Sequence, residues 1–186
     1  MRLYSRKGER LYVNGSERQR FRKAAESQPK AIRLFCLLLL HSGCRLSEAR
    51  NLRARDIQAD EGVVSIRTLK QRQVKVREVP LPPEFIWELV TFANELQSPR
   101  SRLWSYSRTT AWRRVKEVMV NAGVTGAQAS PKGLRHGFGV AAIMAGIPVF
   151  TLKKWMGHEK LETTMIYATV SGVEERALAE RMWRLI

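Results

Sequence analysis

Cysteine is scarce in this chain, acidic side chains are few, and no long apolar run is present. Cys36 and Cys44 stand eight apart without a CxxC pair. That excludes a disulfide framework and fits two unpaired thiols in a reducing compartment. The three histidines are scattered and form no Cys/His cluster, so no zinc site is expected. The apolar run from Leu34 to Leu40 is seven residues, against the roughly twenty needed to cross a bilayer. No signal peptide precedes it. A soluble, cytoplasmic protein with no membrane partner is therefore expected. Internal repeats and low-complexity blocks are also missing.

What is abundant is positive charge. Lys and Arg total 33 against 17 Asp and Glu, a formal net charge of +16. An excess of this size points to a polyanionic partner, nucleic acid first. With 44% apolar residues and five tryptophans, the composition is that of a folded enzyme and not of a basic tail. At 186 residues the chain is large enough for one domain with small appendages.

Residues 1–10 are basic and patternless and read as a loose arm. Ser16-Glu17 marks a helix start, and Arg18 to Ser27 continues as a basic helix holding Arg18, Arg20, Arg22 and Lys23. Pro29 opens a buried helix with Ile32, Leu34, Phe35, Leu38 and Leu39 on its apolar side, stopping at Gly43. Leu46 to Leu52 forms the next. From Gly62 to Pro80 the period changes to two: Val63, Val64 and Ile66, then Val74, Val76 and Val79, predict an antiparallel strand pair. Pro82-Pro83 opens a helix to about Leu96, and Thr109 or Thr110 begins another that ends before Gly123. Further helices run from Pro131 to about Ala145, from Val149 to Met156, from Leu161 to Thr169 and from Glu174 to Leu185. The fold class is mainly α (α+β), with one small antiparallel sheet. Trp87, Trp112, Trp155 and Trp183 are assigned to the core.

Five short strings carry chemistry. Arg45 lies in Ser42-Gly43-Cys44-Arg45-Leu46-Ser47-Glu48, at a sharp junction between two helices. It suits either a surface ion pair or a grip on phosphate; Glu48, three residues on, lies where it can orient the guanidinium. The hairpin carries Arg67, Lys70, Arg72, Lys75 and Arg77, a basic set suited to a DNA backbone. In Pro131-Lys132-Gly133-Leu134-Arg135-His136, Lys132 and Arg135 are spaced to share a face near a helix N-terminus, an arrangement that favours an anion. His136 points elsewhere and reads as a structural hydrogen-bonding residue. His158 closes Trp155-Met156-Gly157-His158, where a helix cap is one reading. Tyr167, in Thr164-Met165-Ile166-Tyr167-Ala168, is by itself equally a core tyrosine of an amphipathic helix. Together, two arginines, lysines, a histidine and a phenol are what phosphoryl transfer needs without a metal or other cofactor.

In this order, these strings make the chain resemble the catalytic domain of the tyrosine recombinases, the phage integrase family. The resemblance runs from about Leu11 to about Met182. It implies three parts: a basic arm (1–10), a catalytic domain (11–172) and a C-terminal helix (173–186) that packs on a neighbouring subunit. It implies site-specific cutting and rejoining of double-stranded DNA through a 3′-phosphotyrosine, within a homo-oligomer, a tetramer, on DNA. By resemblance Tyr167 is the nucleophile, Arg45, Arg135 and His158 hold the phosphate, and Lys70 protonates the leaving 5′ oxygen. Glu48 and His136 support them, while Arg67, Arg72, Lys75, Arg77, Arg18, Arg22 and Lys23 meet DNA. Lys132 stands where the commonest family pattern has histidine. With an unperturbed pKa near ~10.4 it is assigned to charge stabilisation, not to accepting the tyrosine proton. Two other readings remain open: strand relaxation like that of a type IB topoisomerase, and a non-catalytic DNA-binding regulator on the same fold.

Overall fold

The computed structural model describes residues 2–70, 73–170 and 172–184, and the side chains of all of these except Leu69, Lys70, Gln73, Val74 and Met182. Helix α1 (Gly15–Glu26) starts one residue before the predicted Ser16, because Asn14 caps it. Asn14 Oδ1 accepts from Glu17 N at 2.9 Å, and Glu17 Oε2 accepts from Asn14 N at 2.9 Å. This reciprocal pair satisfies two donors that a helix start leaves open. Glu17 also receives Arg10 Nη2 at 2.7 Å. The arm is consequently not loose. Tyr4 bridges Arg10, and Leu3 and Tyr12 are buried. Their apolar side chains outweigh the basic neighbours that suggested a free tail.

Helix α2 (Lys30–Ser42) buries Leu34, Phe35 and Leu37–Leu40 and ends where Gly43 turns left-handed at φ 59°. A Cβ at Gly43 would come within 2.3 Å of the Phe138 ring, so the residue serves both turn and packing. Helix α3 (Leu46–Asn51) follows at once and leads through a 3-10 turn, Ala54–Asp56, into the sheet. Its strands β1 (Ile57–Gln58), β2 (Val63–Lys70) and β3 (Gln73–Pro80) are antiparallel in the order β1-β2-β3. Strand β1 gave no signal in the sequence, being two residues long. In the β2–β3 register, Val64 faces Val79, Ile66 faces Arg77 and Thr68 faces Lys75.

Helices α4 (Pro83–Asn94) and α5 (Arg108–Asn121) complete the larger part. They are followed by α6 (Pro131–Met144), α7 (Val149–Met156), α8 (Glu162–Met165) with its 3-10 continuation Ile166–Ala168, and α9 (Val173–Trp183). There are two apolar clusters. The first joins α1, α2, α4, α5 and the sheet and takes Leu134 from α6; the second gathers Leu3, Tyr12, Val140, Ala142, Leu152, Met156, Tyr167 and Val170. Helix α6 thus passes from one cluster into the other. The tryptophan assignment needs correction. Trp104 is the buried one, donating Nε1–H to Ala31 O at 2.8 Å, whereas Trp87, Trp112 and Trp183 are about half exposed. On α4, Phe85, Ile86 and Leu89 take the inner face and leave Trp87 turned outward.

Candidate active site

Gly43 ends α2 so abruptly that Arg45 becomes the capping residue of α3, in extended conformation (φ −73°, ψ 151°). Glu48 accepts from Arg45 N and Arg45 Nη1, each at 2.8 Å, which places the carboxylate in the orienting position its spacing suggested. Thr68 Oγ1 donates to Glu48 Oε1 at 2.7 Å. Burial alone would raise the carboxyl's pKa, but hydrogen bonding and charge from Arg77, with help from the Arg45 amide and Thr68, hold it down at about 2.

From α6, Arg135 reaches across to both flanks. Its Nη1 donates to Gly43 O at 2.7 Å; its Nη2 donates to Met156 O at 2.7 Å and to His158 Nε2 at 3.0 Å. Burial, then the charge of Arg45, lowers its pKa to about 10. A guanidinium only donates, so Nε2 of His158 is an acceptor and the ring proton sits on Nδ1, which donates to Thr164 Oγ1 at 2.9 Å. Burial, and then the arginines, press the pKa of His158 down to about 3 and keep it neutral. Placed this way, the imidazole spends both nitrogens on the protein. In this arrangement neither ring nitrogen has a proton free for another group.

Tyr167 is fully buried. Its hydroxyl lies 3.2 Å from His136 Nδ1, its ring stacks on His158 with centroids 6.2 Å apart, and α6 gives way to it at Gly139. Burial raises the phenol's pKa to about 12, against the pull of Arg135 and Arg45. His136 is held neutral, at about 4, by burial and then by Lys132 and Arg135. Lys132 itself is exposed on the first turn of α6 while Arg135 is buried, so the two do not share one open face as their spacing predicted.

An open cleft of about 580 Å³ fronts this cluster. Arg45, Thr68, Lys75, Arg77, Phe150, Lys153, Lys154, Gly157, His158 and Lys160 are among its lining. Tyr167 lies behind His158 and not in the wall. Lys153, Lys154 and Lys160 were not singled out from the sequence; the first two stand in the last turn of α7. Thr164 and Gly139 left no readable signal, because each matters through a partner distant in sequence.

The predicted DNA-contacting cations divide. Lys75 is exposed at the cleft, and Arg22 and Lys23 are exposed on α1. Arg77 is not a surface cation: it is 8% exposed and paired with Glu48 at 2.6 Å, because β3 turns it to the same side as the buried Ile66. Arg18 likewise lies along α2, donating to Leu40 O at 3.2 Å, with burial lowering its pKa to about 10. Arg67 points to the opposite face of β2 and pairs with the buried Asp56 at 3.2 Å. Lys70 closes β2 opposite Gln73, but its side chain, and the whole of Arg72, lie outside the described residues. Among the described residues no group of His, Cys, Asp and Glu is placed to hold a metal ion, and no helix is long and apolar enough to cross a membrane.

Comparison with known proteins bears on this arrangement. The profile of the Phage integrase family matches residues 12–172. The chain is 30% identical over 158 residues to tyrosine recombinase XerA of Pyrococcus furiosus, covering 80% of this chain and 54% of that protein. It is 27% identical over 156 residues to tyrosine recombinase XerD of Yersinia pestis, covering 77% and 51%. The chain therefore spans about half the length of the curated relatives it matches. A crystal structure of XerA recombinase has the same fold, with TM-score 0.81 and 21% identity over 92% of this chain and 65% of that one. The catalytic domain of bacteriophage HP1 integrase gives TM-score 0.65 at 20% identity, covering 91% and 94%.

Proposed function

Because the chain belongs to the phage integrase family, we propose that it is the catalytic part of a site-specific DNA recombinase that cuts and rejoins strands through a 3′-phosphotyrosine. The observation that carries the reading is the span of Arg135: one guanidinium joins the carbonyl of Gly43, two residues from Arg45, to His158, and His158 stacks on Tyr167. Three segments far apart in sequence thereby place cations beside a phenol.

The chemistry runs as an exchange of esters. The phenolic oxygen of Tyr167 attacks a backbone phosphorus, the bond to the 5′ oxygen breaks, and Lys70 gives that oxygen its proton. Arg45 and Arg135 hold the non-bridging oxygens as charge builds, and Lys132 adds positive charge from the first turn of α6. His158, relieved of Arg135 by the incoming anion, takes the phenolic proton on Nε2 and returns it when the phenol is freed. A 5′ hydroxyl from a partner strand then attacks the phosphotyrosine and frees the phenol. Bond energy is conserved at each step, so no nucleotide or metal is required. Double-stranded DNA seats against the lysines of the cleft, in a homo-oligomer, a tetramer, with Arg22 and Lys23 as further backbone contacts.

Tyr167 cannot attack from its buried position, so DNA binding has to be linked to its exit past His158. The test uses a pool of nicked duplexes with randomised sequence around the nick. Wild type should retain a subset as adducts stable to SDS, and Tyr167→Phe should retain none. A wild type that forms no adduct with any member of the pool refutes the reading.

A further inference from the structure

Arg77 is buried and charged, and the reaction as written gives it nothing to do. Its guanidinium is fully occupied in three directions. Nη2 donates to Glu48 Oε2 at 2.6 Å, Nη1 to Thr68 Oγ1 at 2.7 Å, and Nε to Trp155 O at 2.7 Å. At Gly157, whose φ is +63°, an added Cβ would lie 2.9 Å from Arg77 Nη1, so the chain leaves that slot open for the guanidinium. One side chain on β3 therefore fastens the start of α3, strand β2 and the end of α7. The first of these carries Arg45 and the last leads directly to His158.

We propose that Arg77 is a positioning residue for DNA cleavage: through Glu48 it sets the direction and net charge of Arg45, and through Trp155 it holds the end of α7 that presents His158. The proposal rests on the recombinase reading above. Arg77 reaches the cleft wall, but it is only 8% exposed and its Nε, Nη1 and Nη2 each already donate within the protein, which sets it apart from an ordinary DNA contact. A simple internal ion pair explains the bond to Glu48 but not the carbonyl of Trp155 or the vacated space at Gly157.

The electrostatics give the reason such a residue is needed. Glu48 takes two hydrogen bonds from Arg45. As Arg45's sole counterion it would cancel the charge meant for phosphate. With Arg77 bound to the same carboxylate, two guanidiniums share one negative charge, and Arg45 keeps a surplus toward the cleft. Lysine at this position would preserve the charge but not the three directions, because an ammonium is a point donor and a guanidinium a planar fork.

The experiment takes a nicked duplex captured covalently by the wild type from the randomised pool. It is compared with the same duplex bearing an uncharged methylphosphonate at the cleaved position. Variants are Arg77→Lys, Arg77→Met and, in case the lone carboxylate prevents folding, Arg77→Met combined with Glu48→Gln. Adduct formation at saturating DNA and DNA affinity are both measured. Arg77→Lys and the double variant should slow cleavage of the phosphate by about a hundredfold, the size of losing one preorganised donor, with affinity unchanged. On the methylphosphonate, which has less charge to hold, the deficit should shrink to under about tenfold. Arg77→Lys cleaving at the wild-type rate overturns the proposal, as does an equal deficit on both substrates, the sign of a merely structural role. If the wild type itself forms no adduct, the recombinase reading falls and this role falls with it.

Discussion

Gly139→Ala should eject Tyr167, the proposed nucleophile, from its resting place. A Cβ at position 139 would lie 2.6 Å from three atoms of the Tyr167 ring, well inside van der Waals contact. The seat it would spoil is worth a calculable amount. Burying an aromatic ring contributes about 2–3 kcal/mol, and the bond between the hydroxyl and His136 about 1 kcal/mol. An isolated chain should thus show Tyr167 exposed in roughly 0.1–1% of molecules, at 1.4 kcal/mol per factor of ten. Overpacking at a core site costs about 1–3 kcal/mol. Taking ~2 kcal/mol, the exposed fraction rises about thirtyfold. The helix itself gains from the change, since alanine is favoured over glycine in a helix interior by about 0.5–1 kcal/mol. Net folding stability should consequently fall by about 1–1.5 kcal/mol, or ~2–6 °C for a domain of this size. The assay is nitration of Tyr167 read by peptide mass spectrometry, with thermal unfolding in parallel. Nitration should be much faster in the variant, with a melting temperature lower by no more than those few degrees. Unchanged protection of Tyr167 with a melting temperature several degrees lower would mean that α6 shifts instead of the ring, and the reasoning would be wrong.

Stability should also depend on pH in two separable windows. His158 and His136 are held neutral, near 3 and 4, against 6.5 in the unfolded chain. Their contribution is complete above about pH 6.5 and is lost as pH falls toward 4; a His158→Asn variant should show a shallower fall of melting temperature across that range. Glu48, near 2 in the fold, adds a second loss below its unfolded value of 4.5 that Glu48→Gln should remove. At the other end of the chain, Asn14→Ala breaks the reciprocal cap of α1 and should cost about 1 kcal/mol, or ~2–4 °C by calorimetry for a domain of this size. A loss below a few tenths of that would show that Arg10 and Glu17 hold the helix start unaided.

Much of the fold was readable because its punctuation is local. Gly43, Gly123 and Gly157 end helices and Pro83 and Pro131 begin them, each for a reason contained in one residue's backbone. The proposed site residues could be read as strings in order, and the structure brings three of them together, with Arg45 and His158 in the wall of the cleft and Arg135 bonded to His158 behind it. What the chain did not disclose was direction. Arg18 and Arg77 carry the same charge as Arg22 and Lys75, yet Arg77 is buried, Arg18 is half-buried against α2, and the other two are exposed. For Arg77 the decision rests on strand register, which pairs it with Ile66 and is set by the hairpin as a whole. For Tyr167 it rests on a glycine 28 positions earlier and on the packing of Leu3 in the arm and Tyr12 just after it. No window of sequence contains that information.

Arg135 and His136 are neighbours on one rigid rod, yet the first answers to the cleft and the second tethers the phenol. Neither can be moved without moving the other. A slide or roll of α6 would loosen the grip proposed for phosphate and the leash on the tyrosine in a single stroke, with no linker between them to absorb the difference. Selection acting on how firmly Tyr167 is stowed must therefore act at the same time on how Arg135 is set beside the cleft.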